Sequence, residues 1–145
     1  AGIGTWIRTC GEAQHDLLAG FGRDSRWGPN HAGLARFSAA FGRGDVEAIM
    51  ALMTDDCVFE STGPAPDGSH HEGAEAVRQI WTEIFAQTRD AAFTEEESFV
   101  ADDRAVLRWR FSWTDDDGSP GHVRGVDVLR LRDGKVCEKL SYVKG

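Results

Sequence analysis

An acidic residue within an apolar strand is the first feature of this chain that points to chemistry. Asp127 lies between Val126 and Val128 in the run GVDVLRLR, whose alternating apolar side chains are typical of a core strand. Burying a carboxylate is costly unless it is hydrogen-bonded, paired or protonated, and chains that accept this cost often do so at functional sites. We therefore expect Asp127 to take part in the function. The alternative is an ionised carboxylate paired with an arginine of a neighbouring strand, one of Arg108, Arg110 and Arg124.

The histidines do not have the spacing of a metal site. His70, His71, Glu72 and His122 form neither an HxH nor an HExxH motif, and no Cys/His pattern accompanies them. Phosphate-binding loops and dinucleotide fingerprints are also missing from the sequence. We predict neither a metal ion nor another cofactor. His122, which begins the strand of Asp127 on the opposite face, is expected at the rim of any pocket.

The composition indicates one soluble domain. The chain has 145 residues, enough to close a hydrophobic core, and its net charge of −8 argues against a nucleic-acid partner. No apolar run approaches the ~18 residues that a membrane span requires, so no membrane partner is expected. Cys10, Cys57 and Cys137 are odd in number and widely spaced, which favours free thiols and a cytoplasmic location.

Residues 1–30 differ from the rest of the chain and are interpreted as an N-terminal extension, with the domain spanning residues 31–145. Repeated glycines and a closing Trp27-Gly28-Pro29-Asn30 run predict an appendage with one short helix over residues 7–18. The extension either packs on the domain through Trp6 and Trp27 or is a loosely held arm.

Three helices followed by strands are predicted within the domain. Helical spacing is found from Leu34 to Phe41, after the capping residue Asp45, and over 74–87. The second helix has an apolar stripe that ends at Met53. A short strand over 57–61 and a loop over 62–73 precede the third helix. Four more strands follow at 93–100, 105–114, 122–131 and 136–143, which predicts an α+β fold with helices covering one face of an antiparallel sheet.

A resemblance to a known family rests on three segments: FSAAFGRGDVEAIMALMTDDCVFES, HEGAEAVRQIW and GVDVLRLRDGKVCEKLSY. In this order the chain resembles the nuclear transport factor 2-like superfamily and, within it, SnoaL-like and ketosteroid-isomerase-like bacterial proteins. The resemblance covers roughly residues 31–143. It implies a cone-shaped curved antiparallel sheet wrapped around three N-terminal helices. It also implies an apolar pocket at one end and a homodimer formed through the outer sheet face.

The resemblance implies a role for Asp127 but not for its usual partners. Asp127 matches the position at which ketosteroid isomerase keeps a protonated aspartate, which can donate a hydrogen bond to a developing enolate. The catalytic base of that enzyme falls on Ser61 and its oxyanion tyrosine on Phe37, and neither side chain can perform that chemistry. Glu60 would replace the base only after a register shift, and is otherwise expected to be solvated or at an interface.

Further pocket residues follow from the faces that the family implies. His71 lies near the family's pocket mouth, where a histidine can act as a general acid or base, while its neighbour His70 points away. Phe59 and Ser61 share one strand face. The large aromatics expected in the core or the pocket wall include Trp81 and Trp109.

Lys139 has two interpretations. By family parity it faces inward, where a buried lysine can serve as a base or a Schiff-base amine. Alternatively it is exposed and paired with Glu138 or Asp133.

Two functions are consistent with these residues. The first is an enzyme of the isomerase, cyclase or dehydratase type that acts on an apolar carbonyl or polycyclic compound. In it, Asp127 acts as acid or oxyanion donor, and His71 or a bound water moves the proton. The second is a dimeric module that binds a small apolar molecule without transforming it. A third interpretation gives Asp127 only the task of fixing the sheet register or the dimer surface.

Overall fold

The computed structural model describes residues 28–87 and 90–144. The helices are α1 Gly28–Gly42, α2 Val46–Ala51 and α3 Ala74–Gln87, and the strands are β1 Met53–Glu60, β2 His70–Glu72, β3 Ala92–Ala101, β4 Arg104–Thr114, β5 Pro120–Arg132 and β6 Lys135–Val143. The predicted helix over residues 7–18 and the contacts of Trp6 and Trp27 lie outside the described residues. Within the described part of the chain, no helix is long and apolar enough to cross a membrane.

The first helix begins earlier than the sequence pattern predicts, at Gly28 rather than near His31. Pro29 lies in its first turn, where a missing backbone N–H leaves no hydrogen bond unmade. Asn30 ties the helix to two sheet turns: its Oδ1 accepts from the Gly134 N–H at 2.9 Å, and its Nδ2 donates to the Asp102 carbonyl at 3.0 Å. Residues 28–30 therefore pack with the domain.

The other two helices follow the predicted signals. Asp45 caps α2, with its Oδ1 accepting from the Ala48 N–H at 3.1 Å. The apolar stripe of α3 buries Val77 and Trp81. The prediction for the end of α2 was wrong, because β1 already begins at Met53 and takes this buried side chain into the sheet.

All six strands form one sheet in the order β2-β1-β6-β5-β4-β3. The predicted antiparallel meander from β3 to β6 is confirmed, with Asp102 and Asp133 at positive φ in its tight turns. The predicted α+β fold with a curved sheet is confirmed, and the sheet is mixed, because β1 pairs with β6 in parallel. The alternation of side chains fixes which face each residue occupies but not the direction of a partner strand. β2, within the predicted loop, is too short to show a period.

A β-bulge in β6 determines which face of the sheet its polar side chains occupy. Arg130 pairs with Glu138 and Leu131 with Val136, so Cys137 is the extra residue between them. Because of this extra residue, Val136 and Lys139 are both buried on the face that packs against the helices, although three positions separate them. We call that side of the sheet the inner face and the opposite side the outer face. The hydrophobic core lies between the inner face and the helices.

Candidate functional site

Asp127 lies on the inner face of β5 and is 2% exposed, as the strand pattern predicts. It is not a lone acid. Lys139 Nζ lies 3.0 Å from its Oδ2, and the Ser141 hydroxyl donates to its Oδ1 at 2.7 Å. Ser141 is the direct cross-strand partner of Asp127, and Lys139 is the previous inner-face residue of β6. We call these three side chains the buried ion-pair cluster.

The alternative of an arginine partner for Asp127 was wrong, and the parity of the strands explains why. Arg108 and Arg124 project from the outer face, where both contact the Glu96 carboxylate, at 3.3 and 2.9 Å. Arg110 is exposed on that same face. A side chain on the outer face cannot reach Asp127 on the inner face, whatever its charge.

Lys139 faces inward, as the family parity implies, and the alternative of an exposed lysine was wrong. It is 4% exposed, and its Nζ also donates to Ser141 Oγ at 2.7 Å. The ammonium lies 5.1 Å from the ring centroid of Phe41 and 5.0 Å from that of Phe59. Both are within the range of a favourable cation–π contact, so the lysine charge is balanced by one carboxylate and two aromatic faces.

The rings of Phe41 and Phe59 form an aromatic cage at the Lys139 ammonium. On the core side of this cage lie Phe37 and Trp81. Both are 0% exposed, and Trp81 packs against Phe41 and Phe59 with ring centroids 5.5 and 5.3 Å apart. Neither residue lines the cavity beside Asp127 described below. Their position is that of core residues that hold the rings of the cage in place.

A cavity of about 20 Å³ adjoins Asp127 between α1 and the sheet. Its apolar walls include Phe41, Phe93, Leu107 and Trp109. This volume accommodates about one water molecule. Any larger ligand requires movement of side chains that line the cavity.

Trp109 contributes an unused hydrogen-bond donor to this site. It is 7% exposed, and its ring covers Gly125, where an added Cβ would lie 2.2 Å from the ring. The Nε1 of Trp109 has no hydrogen-bond partner among the described residues. Because a buried unpaired donor costs roughly 1–3 kcal/mol, this N–H is available to a ligand acceptor.

His71 lies on the inner face of β2, half-buried and stacked on Phe59 with ring centroids 6.0 Å apart. Its Nε2 is 2.8 Å from Ser69 Oγ, which is 2.8 Å from Ser61 Oγ. Ser61 donates to the Gly63 carbonyl at 2.6 Å, so it accepts from Ser69, and Ser69 accepts from His71. The hydrogen of the imidazole is therefore on Nε2.

The structure does not bring His71 and Asp127 together. Phe59 pairs with His71 on one side and with Lys139 on the other, so its ring separates the imidazole from the buried ion-pair cluster. Glu60 lies on the outer face, 3.1 Å from His70 Nδ1. This is the solvated position expected for Glu60 without a register shift.

Cys57 is buried on the inner face of β1, two residues before Phe59. Burial raises the pKa of its thiol. The side chain therefore acts as a small apolar core group at neutral pH. Among the described residues, no cluster of three His, Cys, Asp or Glu side chains could hold a metal ion.

Sequence reasoning missed three members of the site. Ser141 could have been found, because it shares a strand face with Lys139. Phe41 and Phe93 could not, because their contact at 5.0 Å depends on how α1 packs on β3.

The comparison with known proteins agrees with the fold. Residues 34–139 match the family described as SnoaL-like domain. The chain belongs to this family. No curated protein matches it.

Solved structures place this SnoaL-like protein among the nuclear transport factor 2-like proteins. One from Mesorhizobium loti, a protein of unknown function, is 41% identical over 85% of this chain and 97% of its own, with a TM-score of 0.70. One from Mycobacterium tuberculosis, in complex with estradiol-17β-hemisuccinate, is 28% identical over 79% and 93%, with a TM-score of 0.65. TerC, crystallised with polyporic acid, is 19% identical over 80% and 92%, with a TM-score of 0.66, and shares the fold.

Proposed function

We propose that this SnoaL-like protein is an enzyme that moves a proton on an apolar carbonyl or polycyclic compound, with Asp127 as the group that handles the proton. The reaction class is isomerisation, cyclisation or dehydration. The observation that carries this proposal is a carboxylate 2% exposed in an aromatic core, with a titratable lysine at 3.0 Å and a cavity beside it. A carboxylate needed only for structure does not require an adjoining cavity.

The Mycobacterium tuberculosis relative supports the ligand class, since it was crystallised with a steroid ester. In this chain, the walls beside Asp127 are aromatic, and the Trp109 N–H is free among the described residues to bind a carbonyl oxygen. A flat polycyclic ketone would satisfy that donor and replace the ring contacts of Phe93 as it enters.

Solvent-proton exchange tests the proposal without knowledge of the product. Polycyclic ketones incubated with the protein in D₂O should gain deuterium next to the carbonyl, as measured by mass spectrometry. Asp127→Asn should slow this exchange by about 10²–10⁴-fold, the usual contribution of a positioned acid or base. Glu60→Gln, which alters an outer-face carboxylate, is the matched control and should leave the rate unchanged. Equal rates in wild type and Asp127→Asn would rule out the mechanism.

The alternative is a binding module without catalysis. It is favoured by the absence of the usual partners of Asp127, since Ser61 is hydrogen-bonded to Ser69 and Phe37 has no proton to donate. Native mass spectrometry distinguishes the two: a ligand retained unchanged, with no exchange in D₂O, supports binding alone.

We also propose that two copies associate through the outer face. Cross-strand pairing aligns Phe99, Val106, Val128 and Leu140 in one apolar row on four neighbouring strands, and Phe99 is 58% exposed. An apolar row of this kind is a typical interface. Val128→Lys should convert the dimer to a monomer in sedimentation equilibrium, whereas Arg110→Lys should not. A monomeric wild type would contradict the proposal.

A further inference from the structure

We infer that Asp127 acts as a base and not as a hydrogen-bond donor, because Lys139 and Ser141 hold it as a carboxylate. Its ligand therefore presents an acidic hydroxyl or C–H group to it, as phenols and enolisable ketones do. This inference rests on the proposed function and reverses the direction in which Asp127 handles the proton.

The hydrogen bonds of the buried ion-pair cluster determine this direction. An ammonium can only donate, so Lys139 Nζ donates both to Asp127 Oδ2, at 3.0 Å, and to Ser141 Oγ, at 2.7 Å. Ser141 then directs its own hydrogen to Asp127 Oδ1 at 2.7 Å. Both carboxylate oxygens accept. Both contacts are made by donors, as suits a carboxylate, and each oxygen keeps a second lone pair that can accept a ligand proton.

Among the described residues that line the cavity beside Asp127, none is a cation and one is a further carboxylate. Cross-strand neighbours of Asp127 are Leu107 on β4 and Ser141 on β6, and the α1 side chains nearest the cavity are Ser38 and Phe41. Glu95 of β3 also lines the cavity, where its carboxylate accepts from the Ser38 and Ser98 hydroxyls.

The charges of the buried ion-pair cluster are compatible with Asp127 acting as a base. Before the transfer, the Asp127 carboxylate and the Lys139 ammonium compensate each other. In the reaction, the ligand proton moves to Asp127, and the electron pair of the broken C–H bond stays on the ligand as an enolate. Lys139 then has no carboxylate partner, so its charge balances the new anion. Return of the proton from Asp127 to another ligand atom completes an isomerisation and restores the pair.

The state of Asp127 can be measured without any ligand. Infrared spectra of wild type and Asp127→Asn, both labelled with ¹³C-aspartate, are compared at neutral pH. The variant should lack one carboxylate band that wild type has. A lost protonated-carboxyl band would overturn the inference. Because the spectrum needs no substrate, it can fail or succeed independently of the deuterium exchange that tests the proposed function.

Binding of 4-nitrophenol provides the second test, since its phenol and phenolate forms differ in colour. At a pH where both forms exist in solution, wild-type protein should bind the neutral phenol, so the phenolate absorbance falls. Glu60→Gln, which alters an outer-face carboxylate, is the control and should behave in the same way as wild type. Lys139→Met should favour a protonated Asp127 and reverse the preference, and if this variant does not fold, the infrared result decides. A rise in phenolate absorbance with wild-type protein would contradict the inference.

Discussion

Replacing Lys139 with methionine is expected to lower the free energy of unfolding by about 3–5 kcal/mol, the usual cost of breaking a buried ion pair. Methionine fills a similar volume, so the loss comes from Asp127, which keeps its hydroxyl partner but loses the cation that balances its charge. Lys135→Met, at an exposed lysine on the same strand, is the matched control and should change stability by no more than about 0.5 kcal/mol. Chemical denaturation measures both. Similar losses in the two variants would mean that Lys139 is not paired in solution.

Replacing Trp81 with alanine should cost about 3–5 kcal/mol, because it leaves a large cavity beneath the aromatic cage. Trp81 is 0% exposed and touches Phe37, Phe41 and Phe59, with centroid distances between 5.3 and 6.1 Å. Removing it withdraws the support from both rings that cover Lys139. Thermal unfolding should show the loss, and added indole should recover part of it by binding the cavity.

Two variants control this experiment. Trp81→Phe should lower the free energy of unfolding by less than most large-to-small core changes do. The reason is that it also removes an indole N–H that has no partner among the described residues. Trp113→Ala removes a half-buried indole that bonds to Asp115 at 2.9 Å, and should cost about 1 kcal/mol. A small effect of Trp81→Ala would mean that Trp81 lines an open pocket, as the sequence predicts for a substrate-binding residue.

The fold was largely predictable, because its signals are local. The capping aspartate and the apolar stripe of α3 each act within a few residues, and both are found as predicted. The parallel pairing of β1 with β6 and the short β2 depend on contacts distant in sequence. The alternation of apolar and polar residues along a strand does not indicate which strands pair.

The burial of Asp127 was predictable from the sequence, but its contacts with other side chains were not. Burial of Asp127 follows from its neighbours in β5. Its pairing with Lys139 depends on the bulge at Cys137, and no turn residue or glycine in the sequence indicates that bulge. His71 was correctly placed on the inner face but is separated from Asp127 by Phe59, because β1 lies between their strands. Side chains of the right type can therefore share a face without forming one catalytic group.

The size of the cavity sets a condition on the proposed enzyme. At about 20 Å³, the space beside Asp127 is too small for a polycyclic compound unless lining side chains such as Phe41 or Phe93 move. Both rings lie at the contact between α1 and β3. Movement at that contact would enlarge the space while the ion-pair cluster on β5 and β6 remains in place.

The coupling energy between Asp127 and Lys139 tests the central claim most directly. Unfolding free energies of Asp127→Asn, Lys139→Met and the double variant, compared with wild type, isolate the interaction of the two side chains. We predict a coupling of at least about 2 kcal/mol, with the double variant no less stable than either single variant, because the second change removes the buried charge that the first leaves unpaired. Additivity within about 0.5 kcal/mol would show that the two charges do not meet in solution, and would contradict the account.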